Sequence, residues 1–390
     1  MKKVTILGGG IAGIEAAIWL KKEGFNVDLI SPREYLYIYP ISIWIPVSMA
    51  DFSSVCLSLK ELSKVHGFKY IKDEITKIDA ANKKVYSKDK EYRDFDYLVI
   101  AMGASKVNYE GEENFLSICG DPKDAISLRE KLDLLIAQKG EGKILVGFGG
   151  NPKDSTAVRG GPAFEVIFNI HNYLKKKKIR ENFELTFFAT MKEPGKKLGQ
   201  KALKMMDIFF EKLDINKHFG KKIKRFEETK VVFEDDSSLE SDLTMFIPAG
   251  RGHDLFKDSG LPLNEAGFIL IDEFCEVIDN PKIYAIGDSA YIEGPDWRAK
   301  QGHIAEVMAR NVANNIAVDA KMKYADKKGY KDHLNILCVM DSGDGAAFVY
   351  RDDKRGLMIP MPIVGHWLKK AWGWYFKNSK LDKIPRIPGL

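Results

Sequence analysis

The sequence is short of cysteine and of long apolar runs, and it has little net charge outside one end. Four cysteines in 390 residues, Cys56, Cys119, Cys275 and Cys338, are too few and too scattered for a disulfide-stapled scaffold or a zinc ribbon. The seven histidines show no metal-ligand spacing, so no metal is expected. No stretch of 18 apolar residues occurs, which excludes a membrane-spanning helix. No segment is low in complexity or repeated at a fixed period. The chain opens Met1-Lys2-Lys3 and enters a strand at once, leaving no apolar leader. A cytoplasmic chain is the expectation.

Apolar residues make up 45% of the sequence, enough for large cores, and the length suits two or three domains. The net charge is +5, and residues 361–390 account for all of it through Lys369, Lys370, Lys377, Lys380, Lys383 and Arg386 against Asp382. A basic tail on a neutral body points to an acidic surface met by the tail, and not to a chain that coats nucleic acid.

Val4-Thr5-Ile6-Leu7 reads as a buried strand, followed by Gly8-Gly9-Gly10-Ile11-Ala12-Gly13 and a helical pattern through Leu20. Gly24 stops that helix, and Val27 to Ile30 forms a second strand. A G-x-G-x-x-G between strand and helix is a dinucleotide-binding turn. Gly8 makes the tight turn, Gly10 lets backbone approach a pyrophosphate, and Gly13 allows close helix–strand packing. The helix start at Ile11 and Ala12 offers free N–H groups to the phosphates. The acidic residue expected after the second strand is replaced by Ser31, with Arg33 nearby, so the Ser31 hydroxyl is the group available to a ribose.

Two later strands return toward the same nucleotide. Phe95 to Gly103 ends in the small residues Ala101 and Gly103, and Ile283 to Asp288 ends in Gly287-Asp288, whose carboxylate can accept a hydroxyl hydrogen bond. A second fold begins at Lys143-Ile144-Leu145-Val146-Gly147-Phe148-Gly149-Gly150. Asn151-Pro152-Lys153-Asp154-Ser155 breaks its turn, and the next helix starts only near Gly161-Pro162. A pyrophosphate needs the helix N-terminus beside the glycines, so NAD binding is expected to be lost there. Phe183 to Phe188 is the next strand, and Leu243 to Pro248 is expected to lead the chain back. The Lys175 to Lys178 run reads as a solvated helix end.

Ser117-Ile118-Cys119, Gly160-Gly161-Pro162-Ala163-Phe164-Glu165 and Cys338 through Phe348 resemble motifs of the sulfide:quinone oxidoreductases and flavocytochrome c sulfide dehydrogenases, relatives of the type II NADH dehydrogenases. The resemblance spans essentially the whole chain. It implies an α/β fold of two Rossmann-like domains, the first discontinuous: residues 1–112 and 245–330 for FAD, 113–244 for the second fold, and 331–390 for a redox-cysteine and membrane-docking region. It implies FAD held by Gly8, Gly10, Ile11, Ala12, Gly13, Ser31, Arg33, Ile75, Ala101, Gly103, Gly287, Asp288, Lys300 and Gly302. Catalytic roles fall to Cys338, Cys119, Glu165 and Lys300, the last in Lys300-Gln301-Gly302-His303 at a helix start. Cys119 is open to flavin attachment or a redox role, and Glu165 to acid/base or structural duty. Cys56 and Cys275 fall in no motif and read as buried small hydrophobes.

One departure from the family stands out. Its middle cysteine belongs six residues before Glu165, where this chain has Arg159. The expectation is that Cys338 works alone, with Arg159 lowering its pKa. The implied partners are a quinone and a small sulfur-containing donor. The alternatives are a type II NAD(P)H:quinone reductase and a flavin-holding protein without sulfide turnover.

Trp367, Trp372 and Trp374 fall within eight residues among lysines. Such a segment suits a membrane interface, with aromatic anchors and cations near anionic lipid. Peripheral attachment on the cytoplasmic side follows. The competing reading is a packing helix of the core or of a homo-oligomer.

Overall fold

The computed structural model describes residues 1–386; of the tail assigned to docking, residues 387–390 lie outside the described residues. Five parallel strands form the first sheet in the order Ile283–Ala285, Tyr97–Ile100, Lys3–Leu7, Asn26–Ile30, Lys69–Ile71. The inner strands are apolar along their length because helices cover both faces of a parallel sheet. Val4, Ile6, Leu7, Val99 and Ile100 are fully buried. The helices Ile11–Lys22 and Gly302–Asp319 pack on each other beside this sheet. Gly24, at φ 87°, ends the first of them as the sequence predicts.

The second sheet is also parallel, in the order Ile215–Phe219, Phe183–Ala189, Gly142–Phe148, Leu243–Ile247. Leu243–Ile247, expected to carry the chain back, is itself a buried strand paired with Gly142–Phe148, so the second sheet runs to Ile247. Aromatic rings fill the space between this sheet and its helices; Phe164 of helix Gly161–Lys176 stacks on Phe187 at 4.4 Å. Lys175 to Lys178 are exposed at the end of that helix, as expected.

The third unit is an antiparallel sheet, Ile336–Asp341, Gly345–Arg351 and Gly356–Pro362, carrying the C-terminal helix Val364–Lys380 on one side. Among the described residues no helix is long and apolar enough to cross a membrane.

Candidate functional site

The glycine turn has the division of labour its spacing predicts. Gly8 sits at φ 109°, where a side chain is strained, and a Cβ there would strike the Ala101 carbonyl. A Cβ on Gly13 would strike the Gly8 carbonyl oxygen, so this glycine is needed for helix–strand contact. Gly10 differs from both: nothing lies within 4 Å of the place its Cβ would occupy. Gly103, at φ 79° beyond the Tyr97–Ile100 strand, also faces open space.

Several of the other expected cofactor residues lie beside the same turn, whereas Arg33 and Ile75 make their contacts elsewhere. Gly287 lies against Ala12, and Gly302 against Ile11, so the starts of both helices converge here. Ser31 is buried beside Gly9, and its hydroxyl donates to the Arg33 carbonyl at 3.1 Å. The Arg33 guanidinium lies over the Tyr35 ring. Ile75 is buried at the start of a small antiparallel sheet formed by Ile75–Asp79, Lys84–Ser87 and Glu91–Tyr92. A concave backbone cradle with two helix N-termini fits a dinucleotide. When bound, FAD would supply two-electron chemistry. The chain's own groups, Asp288 and the N–H groups near Gly10 and Gly302, would position it.

The second glycine turn is crowded at Gly149 and Gly160, while Gly161, at the start of the late helix, faces open space. A Cβ on Gly149 would lie 2.5 Å from the Tyr109 hydroxyl and 3.1 Å from Phe246, and one on Gly160 would meet the Phe148 ring. The loop between them is pinned elsewhere. Asn151 donates to the Gly250 carbonyl at 2.9 Å, Asp154 accepts from Asn264, and Lys300 N donates to the Thr156 carbonyl. The helix begins at Gly161, twelve residues beyond Gly149.

Lys300 is not a surface lysine. It is 7% exposed, its ammonium donates to the Asp288 and Ala290 carbonyls, and it sits 3.9 Å from the Phe268 ring centroid. Burial pushes its pKa down to about 7, with Arg159 and Arg298 adding to the effect against Asp154.

Arg159 does not activate Cys338. Its guanidinium forms an ion pair with Asp288, the expected ribityl acceptor. The Cys338 thiol is pushed up to about 12 by burial and by Glu165, with Lys369 acting in the opposite sense. The expectation of a thiolate lowered by Arg159 is therefore corrected: the cation is committed to the flavin side and a carboxylate is the stronger neighbour. All four cysteines are free. Cys275 is buried; Cys56 is half-buried, and burial raises its pKa to about 11.

Glu165 belongs to a buried network whose members lie far apart in the chain. It pairs with Lys369 of the C-terminal helix and accepts from Asp341 N at 2.8 Å. Burial raises its pKa despite Lys369. The Asp341 carboxylate receives Trp44 Nε1 at 2.9 Å and lies 2.6 Å from His366 Nδ1. Burial alone would raise its pKa, but the bonds from His366 and Trp44 hold it low. Lys106, which also escaped the sequence reading, has its pKa pushed down to about 8 by burial, with the Arg159 charge lowering it further and Cys119 acting in the opposite sense.

Residues 2–309 match the model of the pyridine nucleotide-disulphide oxidoreductases, and the chain belongs to that family. Within it, the chain is similar to the sulfide-quinone reductase of Aquifex aeolicus (strain VF5), with 28% identity over 96% of this chain and 90% of that protein. The X-ray structure of the sulfide:quinone oxidoreductase from the same organism superposes with a TM-score of 0.85 at 25% identity, covering 98% of this chain and 92% of that one. The type II NADH:quinone oxidoreductase Ndh of Mycobacterium tuberculosis (strain ATCC 25618 / H37Rv) is 23% identical over 83% of this chain and 76% of its own length.

Proposed function

We propose that this chain is an FAD-dependent oxidoreductase of the sulfide:quinone oxidoreductase kind, taking electrons from a small sulfur compound and passing them through FAD to a membrane quinone. The observation that carries the reading is the contrast between the two glycine turns. Gly10 opens onto free space, whereas Gly149 is capped by Tyr109 and its helix starts late. One dinucleotide, the flavin, has a cradle, and NADH does not. The similarity to the sulfide-quinone reductase over nearly the whole chain supports the same choice.

In this reading residues 1–112 and 248–330 hold FAD, the second fold runs from 113 through its last strand to 247 in place of the expected 113–244, and 331–390 carry Cys338 and the docking helix. Cys119 and Cys338 handle sulfur, Glu165 is the acid/base neighbour of Cys338, and the Lys300 ammonium offsets negative charge gathering on the flavin. Arg159 in place of a middle cysteine means that Cys338 has no bridging partner at that position.

Docking rests on the exposed face of Val364–Lys380. Val364, Trp367, Leu368, Ala371 and Trp374 recur at helical spacing and all face outward, with Trp367 63% and Trp374 59% exposed. Ile359 and Ile363 extend the patch. An apolar face of this kind lies in a membrane interface. The electrostatic part is smaller than the tail's net charge implies: Lys369, Lys380 and Arg386 are spent on Glu165, Glu15 and Glu306 inside the protein.

The type II NAD(P)H:quinone reductase reading draws on relatives such as the mycobacterial Ndh. Anaerobic stopped-flow mixing of the flavin-loaded protein with sulfide and, separately, with NADH discriminates between them. Rapid bleaching by sulfide alone is expected, and saturable bleaching by NADH would reverse the choice.

A further inference from the structure

Asp288 is the one acidic residue among the expected cofactor contacts. Its backbone is fixed at the cradle. Gly287 before it lies against Ala12 of the first glycine turn, and Ser289 after it donates to the Gly103 carbonyl at 3.1 Å. A carboxylate held there carries a penalty for the reaction: electrons arriving on a bound flavin add negative charge, and a neighbouring anion opposes them.

Arg159 reaches this carboxylate from the second fold. The segment leading to it is pressed against the first fold. Lys300 N donates to the Thr156 carbonyl at 3.2 Å, and Ala157 packs in a buried cluster with Ala266 and Phe268 beside Ala104. The guanidinium pairs with one Asp288 oxygen, and neither side chain makes another hydrogen bond or ion pair among the described residues. The Lys300 ammonium is spent on the Asp288 and Ala290 carbonyls instead. Arg159 is thus the ion-pair partner of Asp288, and the second carboxylate oxygen is left to accept a ribityl hydroxyl. Both side chains stay partly open, 27% and 20% exposed, on the side where the flavin would cover them.

We propose that Arg159 sets the reduction potential of the flavin: by neutralising Asp288 it makes bound FAD easier to reduce than the carboxylate alone would allow. The proposal rests on the reading that FAD lies between the Gly8–Gly13 turn and Asp288, and it adds a residue that tunes that same site. A guanidinium suits the duty, because it stays charged at every working pH and holds a carboxylate with N–H groups to spare. The departure at Arg159 then has a physical sense. The place of the family's middle cysteine carries an electrostatic task instead of a sulfur-handling one.

Anaerobic equilibration of the flavin-loaded protein with a reference dye reads the potential without sulfur donor or quinone. Arg159→Gln is expected to lower the equilibrium constant for reduction about tenfold, which is ~30 mV for a two-electron couple. Adding Asp288→Asn removes both charges and keeps a carbonyl oxygen for the hydroxyl, so the double variant should return close to the unsubstituted potential. An unchanged potential in Arg159→Gln overturns the proposal, as does a double variant no higher than Arg159→Gln alone. Should Arg159→Gln lose its flavin, Asp288→Asn alone carries the test. With Arg159 left uncompensated its reduction should be favoured about tenfold, and an unchanged potential there overturns the proposal equally. Unsubstituted protein that takes up no FAD would contradict the underlying flavin reading, which keeps the two failures distinct.

Discussion

Lys369 on the C-terminal helix and Glu165 on the helix Gly161–Lys176 meet in a buried ion pair. The helix that presents two tryptophans to the outside is thus clamped, through its inner face, to the carboxylate beside Cys338. Its far end is held in the same way, with Lys380 between Glu15 and Glu306, and Arg386 2.5 Å from Glu15. A helix fixed at both ends presents its outer face at a set orientation to the rest of the protein.

Lys369→Met should destabilise the protein by about 3–5 kcal/mol, because it strands a buried carboxylate. Adding Glu165→Gln should recover much of that loss. Urea unfolding of the two single variants and the double variant measures the coupling; additive losses would contradict a direct pair.

Gly10→Val should fold normally and purify largely without flavin, since its side chain enters only the space assigned to the pyrophosphate. Gly13→Val should compromise folding itself, because its Cβ strikes the Gly8 carbonyl. Flavin absorbance with a thermal melt separates the two; full flavin occupancy in Gly10→Val would remove the first-fold assignment.

Lys300 makes stability depend on pH in a defined direction. Its folded pKa, about 7, lies below the ordinary lysine value of 10.5. Between those values the unfolded chain binds the extra proton, so stability rises with pH. Flavin-free protein should gain up to ~1.4 kcal/mol per pH unit relative to Lys300→Met from about pH 7 to pH 9. Parallel stability curves for the two proteins would place Lys300 in water instead.

Trp367→Ala with Trp374→Ala should release the flavin-loaded protein from anionic liposomes and lower turnover with lipid-embedded quinone, while leaving reduction by the donor intact. This pair is a cleaner probe than truncation after Met361, which also removes Lys369 and Lys380 from their buried partners. Salt should weaken docking only modestly, since apolar contact dominates. Unchanged sedimentation would make this face a packing surface.

The first glycine turn, its flanking strands and the broken second turn were legible because each is local: a strand, a spacing and a helix pattern within about 30 residues. The fate of Arg159 was not. Its pairing with Asp288, 129 residues away, depends on how two folds face each other, and no local pattern carries that information. The tail misled in a related way. Its lysines and tryptophans were visible, but the side of the helix each occupies, and hence which charges are spent internally, depends on carboxylates far off in sequence at Glu15, Glu165 and Glu306.

The central claim is electron transfer from a sulfur compound through flavin to quinone, and anaerobic double-mixing tests it most directly. Flavin-loaded protein is first bleached by sulfide and then mixed with quinone in liposomes. The account predicts bleaching in the first step and full return of the flavin absorbance in the second, with NADH unable to replace sulfide. Bleaching by NADH with none by sulfide, or sulfide-reduced flavin that quinone leaves bleached, would contradict it.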